Sequence, residues 1–155
     1  MSQPEAPLPE FIFSHGIWLG EGKISFTSSP EFIKFYTRWQ IAPEDNGLIK
    51  AVQVVEMQGI GEQITNTFQF NDITSIDFSV SLENSLVGKI SGKGMRTESC
   101  TVAWEFRSQG SFEGFEVYER QENGDYFLHA EYGSPDQFRT IVEGLVWRKE
   151  SPEQC

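Results

Sequence analysis

Apolar and polar residues alternate along most of the chain in short stretches that end in turn signals. The clearest stretch places Phe78, Val80 and Leu82 on one side and Ser79 and Ser81 on the other. A period of two is typical of a strand with one buried face, because successive side chains point in opposite directions. No segment has a convincing helical period. The sequence therefore predicts an all-β protein of about ten strands.

The connections between these stretches are short. Pro43 opens a turn that ends in Asn46 and Gly47, and residues 71–72 and 122–125 give further turn signals. Short hairpins favour an antiparallel up-and-down order. Because an open sheet of this size would leave two unpaired edges, we expect it to close into a barrel. A sandwich of two sheets is the alternative, since both folds require alternation.

The first predicted strand begins near Phe11 or His15 and has an unusual composition. Gly16, Gly20 and Gly22 share one face with Trp18. Glycines allow close approach of the backbone and sharp bending. We expect Trp18 to plug one end of the closed sheet.

The length of 155 residues is consistent with one domain. Three prolines fall among the first ten residues, which suits a flexible arm. We expect an arm at residues 1–10, a single barrel domain at residues 11–150 and a C-terminal tail at residues 151–155.

Charge and hydropathy exclude several classes of function. Acidic residues outnumber basic ones by 23 to 12, giving a net charge of -11, which disfavours binding to nucleic acid. No apolar run approaches the roughly 18 residues that span a bilayer, so membrane insertion is not expected. The first ten residues contain no positively charged segment followed by an apolar one, and a cytoplasmic location is expected.

Residues 16–22, Gly-Ile-Trp-Leu-Gly-Glu-Gly, resemble the first-strand signature of the calycin group, in particular the nitrobindin-like and fatty-acid-binding-protein-like barrels. They are more loosely similar to the G-x-W motif of lipocalins. The resemblance implies a ten-stranded antiparallel barrel that binds a ligand in its interior. Related cyanobacterial bilin lyases have a barrel of this type, but no motif here carries their chemistry across.

The chain departs from these families in three places. There is no room for the helical lid of fatty-acid-binding proteins between the first two strands, and no sign of the C-terminal helix of lipocalins. Nitrobindins bind heme through a histidine near the start of the last strand, and residues 138–145 contain none. No cofactor is therefore predicted.

A ten-stranded barrel encloses more space than side chains fill in an eight-stranded one, so an apolar cavity is expected. Its predicted occupant is a small apolar molecule such as a fatty acid, a tetrapyrrole or an isoprenoid. Aromatic residues on the inner face would bind it, and inward polar groups would anchor it. The candidate ligand-binding residues are Phe35, Thr37, Trp39, Phe68, Phe78, Trp104, Phe106 and Glu143. Alternatively, Glu143 lies at a strand end or bulge and reaches solvent.

Two other functions stay open. In the first, the barrel is a lyase- or isomerase-like enzyme that uses Glu143 or His129 as an acid or base. Alternation does not say whether His129 points inward. In the second, the core is filled and the acidic surface binds a basic protein. Acidic residues are scattered and no metal site is predicted. The oligomeric state is left open.

Overall fold

The computed structural model describes residues 10–86, 88–97, 101–108, 112–133 and 139–149. The predicted arm, apart from its last residue, and the predicted tail lie outside them. The described residues form ten strands and no helix, which confirms the predicted all-β class. The strands are β1 (Gly16–Phe26), β2 (Phe32–Ile41), β3 (Ile49–Met57), β4 (Gln63–Asn71), β5 (Asp77–Asn84), β6 (Gly88–Arg96), β7 (Thr101–Ser108), β8 (Phe112–Arg120), β9 (Tyr126–Gly133) and β10 (Arg139–Arg148).

The sheet closes on itself. Each strand pairs antiparallel with the next, and β10 pairs with β1 in a register that runs from Trp18 opposite Arg148 to Phe26 opposite Thr140. The predicted up-and-down barrel is confirmed, and the alternative of two packed sheets is wrong. Closure gives every strand two neighbours and removes the exposed edges of an open sheet. None of the described segments is a helix long and apolar enough to cross a membrane.

The seam between β1 and β10 depends on two facing glycines. Gly22 lies directly opposite Gly144. A Cβ atom at Gly22 would collide with the backbone carbonyl of Glu143, and one at Gly144 would collide with the carbonyl of Glu21. Neither collision can be relieved by rotating a side chain, because the obstacle is backbone. The glycines of the first strand therefore allow the close approach that their spacing predicted.

We expect Gly22→Ala to lower the free energy of unfolding by roughly 1–3 kcal/mol, because the added methyl group forces the seam apart. Chemical denaturation monitored by circular dichroism measures this change. Gly61→Ala is the matched control, since a Cβ atom there meets nothing within 4 Å. Equal stability of the two variants would show that the seam tolerates a wider spacing.

Aromatic rings fill the middle of the barrel. Trp104 lies 5.5 Å from Phe70 and 5.1 Å from Tyr118, measured between ring centroids. Phe68 stacks on Phe70 at 5.7 Å, and Trp39 lies 4.9 Å from Phe68. All five rings are buried. The interior is thus a continuous aromatic cluster, which adds ring-to-ring attraction to the burial of apolar surface.

One end of the barrel is closed by residues 10–14, which we call the plug. They form a turn in which the amides of Phe13 and Ser14 donate to the carbonyl oxygen of Glu10.

Phe11 of the plug is fully buried and inserts between Trp18, at 5.3 Å, and Tyr126, at 5.8 Å. Trp18 itself is buried, as predicted for the residue that closes this end. The extended strand begins only at Gly16, because the apolar side chains before it enter the barrel.

Two arginines hold this end together. Arg96 forms an ion pair of 2.6 Å with Glu10, and its guanidinium lies 4.0 Å from the ring centroid of Phe13. Arg148 donates to the carbonyl oxygen of His15 at 3.0 Å and lies over the ring of Trp18. Arg148, the last residue of β10, is therefore hydrogen-bonded to the residue that joins the plug to β1.

Candidate functional site

A cavity of about 500 Å³ opens at the other end of the barrel, which we call the mouth, where β1 ends and β2 begins. Its lining comes from β1 to β5 and from β8 to β10, with Leu86 at the tip of the turn that follows β5. Sites for small molecules commonly measure roughly 300–1,000 Å³ and are mostly apolar. The cavity thus has the size and position of a ligand site.

Three of the candidate residues predicted from sequence line this cavity. Phe35 and Thr37 reach it from β2, and Phe68 reaches it from β4. All three are buried. The structure therefore brings them together on one wall, although their part in binding a ligand stays a prediction.

Four other candidates are buried but do not belong to the lining of the cavity. Trp39, Phe78, Trp104 and Phe106 lie in the packed aromatic cluster or beside it. Sequence alternation places a side chain on the inner face but does not say how deep along the barrel axis it lies. Packing of the large rings shortens the cavity to the half nearest the mouth.

The prediction that Glu143 faces inward is wrong. Its side chain is 58% exposed, and its neighbour Val142 lines the cavity instead. Leu145, on the same face as Glu143, is also exposed. Both faces of β10 contain apolar residues, so the hydrophobic pattern cannot fix which one is buried.

His129 also lies on the outer wall, directly opposite Glu143 on the neighbouring strand. One ring nitrogen lies 3.2 Å from a carboxylate oxygen of Glu143, and the other lies 2.9 Å from one of Glu131. Glu131 also pairs with Arg139 at 3.0 Å. The hydrogen bond to Glu131 raises the pKa of His129 above its ordinary value of 6.5, and Glu143 adds to this effect. The same contact lowers the pKa of Glu131.

We expect His129→Gln to destabilise the protein by about 0.5 kcal/mol near pH 6, a small effect because the ring is partly exposed and screened by solvent. A histidine with a raised pKa stabilises the fold fully below pH 6.5 and ceases to do so as the pH rises through its folded value. The cations beside this cluster are Lys23, which lies opposite Glu143 across the seam, and Arg139, which pairs with Glu131.

Urea denaturation of both proteins between pH 5 and pH 9 measures the difference. The gap between them should close on the alkaline side. A gap that stays constant with pH would mean that the ring acts by packing against Phe115, whose ring lies 6.1 Å away.

The cavity contains one buried carboxylate, Glu116 of β8, among the residues that the structure describes as its lining. Tyr118 donates a hydrogen bond of 2.6 Å to one oxygen of this group, and Tyr132 donates one of 2.7 Å to the other. Trp104 is the cross-strand partner of Glu116, and its indole nitrogen is buried without a hydrogen-bond partner. A carboxylate, two hydroxyls and an indole N–H therefore meet where the cavity borders the aromatic cluster.

Burial is the main influence on these groups. Desolvation raises the pKa of Glu116 above its ordinary value, against the opposing effect of the two tyrosine hydrogen bonds and the neighbouring indole. Desolvation and the charge of Glu116 hold the pKa of Tyr118 and of Tyr132 well above 10. Both tyrosines are thus fixed as donors, and Glu116 is the group that can gain or lose a proton.

Polar side chains line a second wall of the cavity. The amide of Asn66 donates to Gln53 at 2.8 Å, and the amide of Asn84 donates to Asn66 at the same distance. These residues lie on three successive strands, β3, β4 and β5. The row of amides runs from the interior to the mouth and can offer hydrogen bonds to a ligand along its length.

No protein-family model matches the chain, and no curated protein matches it. Two solved structures are similar. Rv2717c from M. tuberculosis has a TM-score of 0.70 and 9% identity, over 90% of this chain and 94% of that one. The S-type phycobiliprotein lyase CPES from Guillardia theta has a TM-score of 0.66 and 11% identity, over 91% and 92% of the two chains. The fold is a ten-stranded calycin-type barrel. At these identities the likeness shows the fold alone.

Sequence reasoning missed the central polar group of this calycin-type barrel. On β8, Phe115 and Val117 alternate with Glu116 and Tyr118, and hydrophobicity favours the first pair as the buried one. The structure buries the second pair. Gly114 is the signal that points the right way, because the ring of Tyr132 covers it and leaves no space for a Cβ atom. A glycine covered by a cross-strand ring marks the crowded face of a sheet.

Proposed function

We propose that the chain binds a small, mostly apolar molecule that presents a hydrogen-bond donor to Glu116, and that the molecule is of the tetrapyrrole class. One observation supports this most directly: a buried carboxylate faces an otherwise apolar cavity. A buried charge is costly unless it is paired, and both of its present partners are neutral hydroxyls. A ligand N–H group would supply the missing positive or partly positive partner.

The polar groups of the cavity distinguish between the three ligand classes expected from the sequence. A fatty acid that entered with its carboxylate first would meet Glu116, a second carboxyl group, and the two could not both be ionised there without repulsion. An isoprenoid alcohol could donate one hydrogen bond, but it would leave the row of amides on the opposite wall unused. A tetrapyrrole has several N–H donors at one side and acidic side chains that can stay in water at the mouth. The arrangement therefore favours the last class.

The likeness to a protein described as a phycobiliprotein lyase is consistent with this choice. It also suggests a second candidate function, chemistry on the bound molecule. The sequence suggested Glu143 or His129 as the acid or base, but both lie on the outer wall. Among the described lining residues, Glu116, whose pKa is raised by burial, is our candidate for exchanging a proton with a ligand.

The first experiment titrates the protein with biliverdin, a linear tetrapyrrole, and follows its absorption spectrum. We expect saturable binding in wild type and about a tenfold weaker affinity in Glu116→Gln, which corresponds to the loss of one hydrogen bond to a charged group. Glu143→Gln is the matched control because the same change is made on the outer wall. It should bind like wild type.

Two results would contradict the proposal. One is equal affinity of wild type and Glu116→Gln for biliverdin. The other is tight binding of a fluorescent fatty acid together with no binding of biliverdin, which would assign the cavity to lipids. A product spectrum that develops with time in wild type, and not in Glu116→Gln, would support the enzymatic candidate.

A further inference from the structure

We propose that the plug regulates the cavity: the seating of residues 10–14 at one end of the barrel and the binding of a ligand at the other are coupled through Tyr118. This inference rests on the proposed function of the cavity. It adds a conformational step that the ligand site alone does not require.

The side chain of Tyr118 contacts both the ligand cavity and the plug. Its hydroxyl donates to Glu116 at 2.6 Å, inside the ligand cavity. Its ring lies 4.6 Å from the ring of Phe11, the central residue of the plug. The side chain is fully buried, and close-packed interiors leave little space for one end of a rigid ring to move without the other. A ligand that changes the position of the hydroxyl therefore changes the surface on which Phe11 rests.

A second series of contacts runs parallel to the first. Phe11 meets Trp39 edge-on at 5.1 Å, and Trp39 lies 4.9 Å from Phe68, which lines the cavity. The plug and the cavity are thus separated by one layer of rings. Contact alone does not establish coupling, which also requires an element with two states.

The plug has the features of such an element. Ile12 has a φ of 65°, a left-handed conformation that is unfavourable for a β-branched residue. It is held there by complete burial of its side chain. The ion pair between Glu10 and Arg96 is 31% and 23% exposed at its two side chains, so water can compete for it. Release of the plug would relieve the strained backbone and would uncover the aromatic rings beneath it.

The direction of the coupling follows from the contacts. The seated plug presses the ring of Tyr118 from the side opposite to the cavity and so keeps its hydroxyl on Glu116. Opening of the plug would loosen that hydroxyl and weaken the ligand site. By linkage, a ligand must then stabilise the seated plug by the same factor by which the seated plug strengthens ligand binding.

Hydrogen exchange measured by mass spectrometry on the segment containing residues 10–14 reports the seating of the plug. The protected positions are the amide of Phe11, which donates to the hydroxyl of Tyr126 at 3.2 Å, and the amides of Phe13 and Ser14, which donate to the carbonyl oxygen of Glu10. We expect saturating biliverdin to slow their exchange about fivefold or more. We expect Arg96→Gln to accelerate exchange in the free protein, and we expect saturating biliverdin to slow exchange in this variant by the same factor as in wild type.

Arg107→Gln is the matched control, since Arg107 also pairs with a glutamate but lies on the exposed outer wall, at 3.6 Å from Glu105. It should change neither the exchange of residues 10–14 in the free protein nor the slowing of that exchange by biliverdin. Exchange at residues 10–14 that saturating biliverdin leaves unchanged in both wild type and Arg96→Gln would overturn the coupling, because the plug would then open equally often whether the cavity is empty or filled.

A second pair of variants tests the coupling without any ligand. Tyr118→Phe and Tyr132→Phe each remove one hydroxyl from Glu116, but only the ring of Tyr118 is in contact with Phe11 among the described aromatic pairs. Exchange at residues 10–14 should accelerate several-fold more in Tyr118→Phe. If wild type binds no biliverdin, the proposed function fails and this comparison still decides the coupling. Equal exchange in the two variants would refute it.

Discussion

Pairing of the first strand with the last closes the sheet and creates the enclosed interior on which the rest of the structure depends. Once β1 and β10 are joined, ten strands enclose an interior that side chains must fill or leave open. The facing glycines at the seam let the two backbones approach closely enough to complete the ladder. Large rings then fill the half of the interior next to the plug. The cavity at the mouth is the space that remains.

The interior is unusual in combining dense aromatic packing with a buried carboxylate. A carboxyl group at such a depth is tolerated when strong hydrogen bonds replace water, and Tyr118 and Tyr132 supply two. The rings of Tyr118 and Tyr132 also pack in the cavity wall, so the same two side chains hydrogen-bond to Glu116 and support the wall. Stability and ligand recognition are therefore difficult to separate at this position, and substitutions that keep the ring while removing the hydroxyl are the most informative.

The sequence predicted the fold well because its alternation is clear where one face is polar. On β2 and β5 the apolar face is unambiguous, and the structure buries Phe35, Trp39 and Phe78 as expected. On β8 and β10 both faces contain apolar residues, and the sequence does not distinguish them. The pattern is therefore compatible with Glu143 inside as well as outside, and it gives no sign that Glu116 is buried. Only the register between strands, which depends on the whole closed sheet, resolves this ambiguity.

The plug and the depth of the cavity were beyond the reach of local patterns for a different reason. Phe11 was open to interpretation as the start of a strand, and its insertion into the barrel is decided by contacts with Trp18, Trp39 and Tyr126, which are distant in sequence. Likewise, alternation gives the direction of a side chain but not its height along the barrel axis. The insertion of Phe11 and the height of each side chain along the axis both depend on packing between residues that are distant in sequence.

The three buried tryptophans, Trp18, Trp39 and Trp104, have an optical consequence. They are grouped in the half of the barrel between the plug and the cavity, and Trp39 and Trp104 lie 6.4 Å apart. Excitation energy absorbed by any of them can pass to a coloured molecule in the adjacent cavity. The barrel thus contains its own fluorescent donor, and quenching of its ultraviolet-excited emission reports occupancy of the cavity without any attached dye.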